Sequence, residues 1–151
     1  MKGCRYIIDT NILLRAIVQD DQKKAKNCLE LINEIATSKI KVAVCDLILA
    51  EFVWTLMSFY KISKPEVLKY LSSIMSLGGL RIDNRCNALL GLELYNDYNV
   101  KFIDAMIASH EILIAQGGAI ISYDKDFDKL KIRRLEPGRD IAEDQLLETI
   151  K

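Results

Sequence analysis

Three short, uninterrupted apolar runs constrain this chain more than any other feature: RYIID at 5–9, KVAVC at 41–45 and AIIS at 119–122. Each is too short for a helix. None alternates apolar with polar residues, so each reads as a strand buried on both faces, the habit of parallel sheets. Between them the spacing turns helical. Ala25, Cys28, Leu29, Ile32, Ile35 and Ala36 recur at three and four, which predicts a helix over 22–38, preceded by a shorter one over 11–18. Asp46 is a natural N-cap for a helix to about residue 60. In SKPE, Ser63 caps a further helix, with Glu66 three residues on and Pro65 tolerated in the first turn; that helix runs to Leu77 and stops at Gly78 and Gly79.

Residues 79–82 are a strand candidate, and Asp83 or Asn84 can cap a helix reaching about residue 98. Residues 102–116 predict a helix apolar on most sides and therefore buried on both faces, ended by Gly117 and Gly118. A last short strand is expected at 133–135, then an exposed amphipathic helix over 140–151, within a C-terminal tail covering 137–151. Short apolar strands separated by helices specify an α/β fold with a mostly parallel central sheet flanked by helices. In such sheets the site lies beyond the carboxyl ends of the strands.

The chain of 151 residues has only two prolines, Pro65 and Pro137, and no linker or repeat, so one domain over 1–151 is expected. Half its residues are hydrophobic, which excludes disorder. The 21 basic and 21 acidic residues balance, which argues against a strongly basic nucleic-acid wrapper. A nucleic-acid enzyme stays open, because bound cations can neutralise carboxylates. The cysteines Cys4, Cys28, Cys45 and Cys86 form no Cys-x-x-Cys pair, and His110 is the sole histidine, which argues against a zinc site. Cys28 and Cys45, among apolar neighbours, read as small core residues. No apolar run reaches about 18 residues, the length of a membrane span, and no charged segment precedes one. A reduced, soluble, cytoplasmic protein without a membrane partner is the expectation.

Chemistry enters with four acids. Asp9 ends the first strand and Asp124 lies just past AIIS. Glu51 is embedded among Leu47, Ile48, Leu49, Phe52 and Val53, and Asp104 opens the most apolar helix. Charged side chains are almost never fully buried unless paired. LILAEFVW contains no basic residue, and the nearest cation to Asp104 in sequence is Lys101. One shared divalent cation accounts for all four acids, since hard cations take oxygen ligands. Plainer readings stand beside this one. Asp9 and Asp104 can be helix caps, and a distant arginine can satisfy Glu51. Of Asp124, Asp126 and Asp128 in SYDKDFDKL, most should be solvated turn residues, with at most two functional.

The chain resembles the PIN-domain nucleases, and among them the VapC-type toxins of toxin–antitoxin pairs, in four features in order: YIIDTNILLRA at 6–16, Glu51 inside an apolar helix, FIDAMIA at 102–108, and GGAIISYDKDF at 117–127. The resemblance implies a PIN-like three-layer fold and Mg²⁺- or Mn²⁺-dependent hydrolysis of RNA phosphodiesters, leaving 5′-phosphate and 3′-hydroxyl ends. It implies Asp9, Glu51, Asp104 and Asp124 as catalytic metal ligands and Asp126 as an additional one. Thr10, Asn11 and Ser122 would orient them, Ser122 standing where the family more usually has Thr. It also implies a cognate antitoxin whose tail fills a groove, and a homodimer through helices near Glu51. The run FVWTLMSFY at 52–60 reads equally as that contact or as core. Arg15, one helical turn after the first motif, is the candidate RNA contact. Three alternatives remain. Haloacid-dehalogenase-type phosphatases place a second Asp where this chain has Asn11. A solitary RNA-processing nuclease would lack the antitoxin. A catalytically inert PIN-like interaction module would scatter or salt-bridge its acids.

Overall fold

A computed structural model describes residues 3–18, 20–115 and 117–150. The strands are β1 (Tyr6–Ile8), β2 (Val42–Val44), β3 (Leu80–Ile82), β4 (Ala119–Ile121) and β5 (Arg134–Leu135). They form one sheet in the order β3-β2-β1-β4-β5, and every neighbouring pair is parallel. The three runs that are apolar throughout take the three central places and are wholly buried, while β3 at the edge is partly exposed. From β1 the chain proceeds outward through β2 and β3, then returns to β4 on the other side of β1. The switch point between β1 and β4 is where such sheets open a crevice.

Nine helices among the described residues cover the sheet: α1 (Thr10–Ile17), α2 (Gln22–Ala36), α3 (Asp46–Ser58), α4 (Lys64–Met75), α5 (Ala88–Asp97), α6 (Phe102–Ala108), α7 (Glu111–Ile114), α8 (Asp126–Lys129) and α9 (Arg139–Ile150). The core combines strand residues such as Ile7 and Ile8 with Ile12, Ile35, Ile48, Phe52, Leu56, Ile107 and Phe127, all buried. Cys28 and Cys45 are buried within it. The 52–60 run divides: Phe52 and Leu56 are fully buried, whereas Trp54 and Phe59 are 66% and 72% exposed.

Several local expectations are corrected. Asp46 is not the N-cap of α3. Cys45 holds that place without a side-chain capping bond, and the Asp46 N–H donates instead to Asn84 Oδ1 at 2.7 Å. Ser63 is the N-cap residue of α4 but makes no capping bond with its side chain. Helix α5 starts later than expected and is capped by Asn87, whose Oδ1 accepts the Leu90 N–H at 3.1 Å. Asp83 is instead held by Arg81, Arg85 and His110.

The single helix expected over 102–116 is two, broken at Ser109 and His110; its expected end at Gln116 lies outside the described residues. His110 Nδ1 accepts the Ile112 N–H at 3.1 Å, and Nε2 meets the Asp83 carbonyl oxygen at 2.9 Å. A residue distant in sequence thus ends α6. Helix α8 was not anticipated. The C-terminal helix is not simply exposed: Ile141 and Asp144 are buried, and Asp144 accepts from the Tyr6 hydroxyl and pairs with Arg133. Its expected last residue, Lys151, lies outside the described residues.

Gly79 shows how tightly the β2–β3 edge is set. A Cβ there would lie 2.2 Å from the Ile40 carbonyl oxygen and 2.7 Å from that of Ile35. Both are backbone atoms that cannot swing aside. Gly79→Ala should therefore lower stability by about 1–3 kcal/mol, read as a reduced urea midpoint; an unchanged midpoint would contradict the close approach.

Candidate metal centre

Asp9 leaves β1 at its carboxyl end with extended backbone and serves as N-cap of α1. Its N–H donates to the Ile121 carbonyl at 3.0 Å, which extends the β1–β4 pairing by one residue. Its Oδ1 accepts the Thr10 N–H at 2.8 Å, and its Oδ2 accepts the Ser122 hydroxyl at 2.6 Å. The Ser122 oxygen in turn accepts the Asp124 N–H at 2.9 Å, and Asp124 Oδ1 accepts the Asp126 N–H at 2.9 Å. One buried serine hydroxyl therefore fixes the first acid relative to the turn that carries the last two.

Asp104 arrives from the other wall, in the first turn of α6. It is buried, and its Oδ2 has no hydrogen-bond partner. Oxygens of Asp104, Asp124 and Asp126 all lie within 4.8 Å of one another. Asp9, Glu51, Asp104 and Asp124 line a single cleft of about 600 Å³, together with Asn11, Trp54 and Lys101. Glu51 is half-buried there on α3.

The electrostatics follow from this crowding. Burial, then the nearby charges of Asp124 and Asp9, push the Asp104 carboxyl up to about 7, with Lys101 opposing. Burial pushes Asp9 up to about 6, resisted by the Ser122 hydrogen bond and increased by Glu51. Glu51 is raised by burial and then by Asp104. The charged forms are destabilised first by burial and then by the neighbouring carboxylates, which Lys101 offsets only in part. An all-oxygen donor set with an orphaned, buried carboxylate oxygen fits a hard divalent cation such as Mg²⁺ or Mn²⁺.

The anticipated residues do not all stand alike. Asp104, Asp124 and Asp126 form the closest cluster, though Asp126 Oδ1 also pairs with Lys129 at 2.9 Å. Asp9 faces the cleft with both oxygens already bonded, so it caps α1 and lines the cleft at once. Thr10 orients Asp9 through its N–H, while its hydroxyl lies 3.5 Å from the Ile48 carbonyl. Asn11 is exposed on the cleft wall. Asp128 turns away to a bidentate pairing with Arg134. Arg15 is not among the cleft residues; its guanidinium lies 5.4 Å over the Tyr123 ring and 3.8 Å from Asp20. Sequence reasoning missed Trp54 and Thr55 as cleft residues. The signal was available, since they stand three and four positions after Glu51, on the same helix face.

The PIN domain family profile matches residues 6–133. No curated protein sequence matches the chain. Among solved structures, VapBC2 from Rickettsia felis bound to a DNA fragment from its promoter aligns with TM-score 0.61 at 19% identity, covering 88% of this chain and 98% of that one. Mycobacterium tuberculosis VapC20, a sarcin–ricin loop cleaving toxin, aligns with TM-score 0.61 at 16% identity, covering 87% and 99%. PAE2754 from Pyrobaculum aerophilum gives 0.58 at 15% identity, covering 82% of each chain. At these identities the likeness is one of fold.

The raised carboxyls predict a pH-dependent stability. Asp9 and Asp104 hold protons in the folded chain between the ordinary value of 3.8 and about 6 to 7, where the unfolded chain has lost them. Stability from these groups is thus present at low pH and falls as pH rises through that window. In a chelator, the melting temperature should be lower at pH 8 than at pH 5.5. Millimolar Mn²⁺ should remove most of the difference, and Asp104→Asn should flatten the chelated profile. A melting temperature that rises with pH in the chelator and ignores Mn²⁺ would refute the site.

Proposed function

The chain belongs to the PIN domain family, and from that premise we propose that it is a divalent-metal-dependent endoribonuclease, acting as the toxin of a toxin–antitoxin pair. The observation that carries this reading is the convergence of carboxylate oxygens of Asp104, Asp124 and Asp126 within 4.8 Å of one another, beside a buried Asp104 whose Oδ2 has no hydrogen-bond partner. Scattered or fully salt-bridged acids would suit an inert module; these converge on one cleft. In this reading Asp104, Asp124, Asp9 and Glu51 hold Mg²⁺ or Mn²⁺, with Asp126 as a further ligand. A cation bound there supplies Lewis acidity and acidifies water at a phosphodiester.

The chain's own residues do the rest. The Ser122 hydroxyl and the Thr10 N–H hold Asp9 in one orientation, as partners of metal ligands commonly do. The Lys101 ammonium on the cleft wall attracts the phosphate and offsets the negative field of the acids. Trp54 offers an apolar surface beside Glu51 on which a base can rest. Hydrolysis adds water at phosphorus and breaks the P–O3′ bond, giving the 5′-phosphate and 3′-hydroxyl ends that the family resemblance implies.

The fold neighbours guide the choice of partner. VapC20 is described as cleaving the sarcin–ricin loop, so structured RNA is the substrate class to test first. VapBC2 is a complex, and an antitoxin segment is the corresponding partner here. An apolar groove between α3 and α4, lined by Leu49, Val53, Trp54, Met57, Leu71 and Met75, can receive that segment or a second copy of this chain.

Cleavage of a panel of structured RNAs with Mg²⁺ or Mn²⁺, with the cut ends mapped, tests the proposal. Wild type should cleave and chelation should stop it. Asp104→Asn should fall below detection, and Ser122→Ala should lose roughly 10–100-fold. Full metal-dependent cleavage by folded Asp104→Asn would overturn the assignment.

A further inference from the structure

Two cysteines that the metal centre does not use lie together at the β2–β3 side of the sheet. Cys45 directly follows β2, and Cys86 lies in the loop between β3 and α5. Backbone bonding fixes both from either side. The Asp83 N–H donates to the Val44 carbonyl at 2.8 Å, and the Asp46 N–H donates to Asn84 Oδ1 at 2.7 Å, so both neighbours of Cys45 are tied to the segment just before Cys86. The Glu111 N–H donates to the Arg85 carbonyl at 3.0 Å, and the Asn87 N–H donates to Ser109 Oγ at 2.9 Å, which anchors both neighbours of Cys86. Between these anchors the two side chains are neighbours.

The pair is asymmetric. Cys45 is 2% exposed and occupies the N-cap position of α3, where its carbonyl oxygen accepts the Ile48 N–H at 3.0 Å. The Cys86 thiol beside it brings the Cys45 thiol down, against the opposing effect of burial, and so favours its thiolate form. Cys86 is only half-buried and opens the pair to solvent. The other buried thiols differ: burial raises Cys4 and pushes Cys28 up to about 11. A zinc ion does not explain the pair, because the nearby His110 has both ring nitrogens engaged, with the Asp83 carbonyl and the Ile112 N–H.

We propose that Cys45 and Cys86 form a reversible intramolecular disulfide when the protein meets a peroxide. The Cys45 thiolate attacks one peroxide oxygen, breaking the O–O bond and releasing hydroxide, and becomes a sulfenic acid. The Cys86 sulfur then attacks the Cys45 sulfur, displacing the sulfenic oxygen, which leaves as water with the Cys86 proton. Both sulfurs are oxidised, the peroxide is reduced to two waters, and a dithiol restores the pair. The bond ties the first turn of α3, the helix that carries Glu51, to the loop that opens α5.

The test uses the full chain. It is treated with a small excess of hydrogen peroxide, alkylated, digested with trypsin without reductant and mapped by mass. Cleavage after Lys41, Lys61, Arg85 and Lys101 puts each cysteine on its own peptide, 42–61 and 86–101. The expected product is these two peptides joined, lighter by two hydrogens than their sum and separated by dithiothreitol. Cys86→Ser should abolish the joined species and leave a dimedone-reactive Cys45, whereas Cys28→Ser should leave the joined species intact. Recovery of both peptides alkylated after peroxide, or joining of either to a Cys4 or Cys28 peptide instead, would overturn the proposal. So would joining that occurs only between chains, visible as a dimer on a non-reducing gel.

Discussion

The parallel pairing of β1 with β4 is the constraint on which the rest of the site depends. Ile8 stands opposite Ile121, and the ladder continues as the Asp9 N–H reaches the Ile121 carbonyl. That register alone delivers Ser122 to Asp9 and carries the chain into the turn holding Asp124 and Asp126. Because strand side chains alternate faces, a slip of one residue would turn Ser122 to the opposite side of the sheet. The hydroxyl that now bridges the Asp9 carboxylate and the Asp124 amide would be lost from the cleft. The sheet is thus both the core of the fold and the ruler that spaces the acids. Its central strands gain their certainty of register from being buried on both faces.

Two groups of acids in the same molecule show what the cleft lacks. Asp83 has Arg81, Arg85 and His110 around it, and its carboxyl is held down at about 2, chiefly by the hydrogen bonds from Arg85. Asp104 is buried, meets three other acids, and is pushed up to about 7. The residue type is the same and the shifts are opposite. The difference is burial at Asp104, and whether the chain itself supplies positive charge to offset it. At Asp83 it does, and the result is a brace between β3, the loop before α5 and the start of α7. In the cleft Lys101 gives partial relief only, and Asp104 Oδ2 is left without a donor. A like-charge cluster is costly to the folded chain in the ionised state, and a bound cation is the simplest physical remedy.

The central strands were legible in sequence because burial on both faces leaves an unbroken apolar run. The acids of the cleft were legible as candidates because carboxylates stand out among Leu, Ile and Phe. What could not be read were decisions made by partners distant in the chain. Asp83 and Asn84 are both good capping residues by type, yet one is held by arginines and the other by the Asp46 N–H. The apolar pattern from Phe102 to Leu113 is compatible with one helix. It breaks because His110 turns to meet Asp83, a contact across two separate segments. Among Asp124, Asp126 and Asp128, sequence could limit the number that face the site but not choose them; Arg134 makes the choice by drawing Asp128 outward.

Helix α3 shows why its sequence looked ambiguous. Phe52 and Leu56 enter the core, Glu51 and Thr55 face the acidic cleft, and Val53 and Met57 face the apolar groove shared with α4. Three surfaces on one helix leave no clean polar stripe, so the run reads as core or as interface depending on which residues are weighed. Ala50 and Trp54 belong to both the cleft and the groove. The wall between them is therefore one residue thick. The groove and the cleft thus share Ala50 and Trp54 as common lining, which is why one stretch of sequence carries the marks of both.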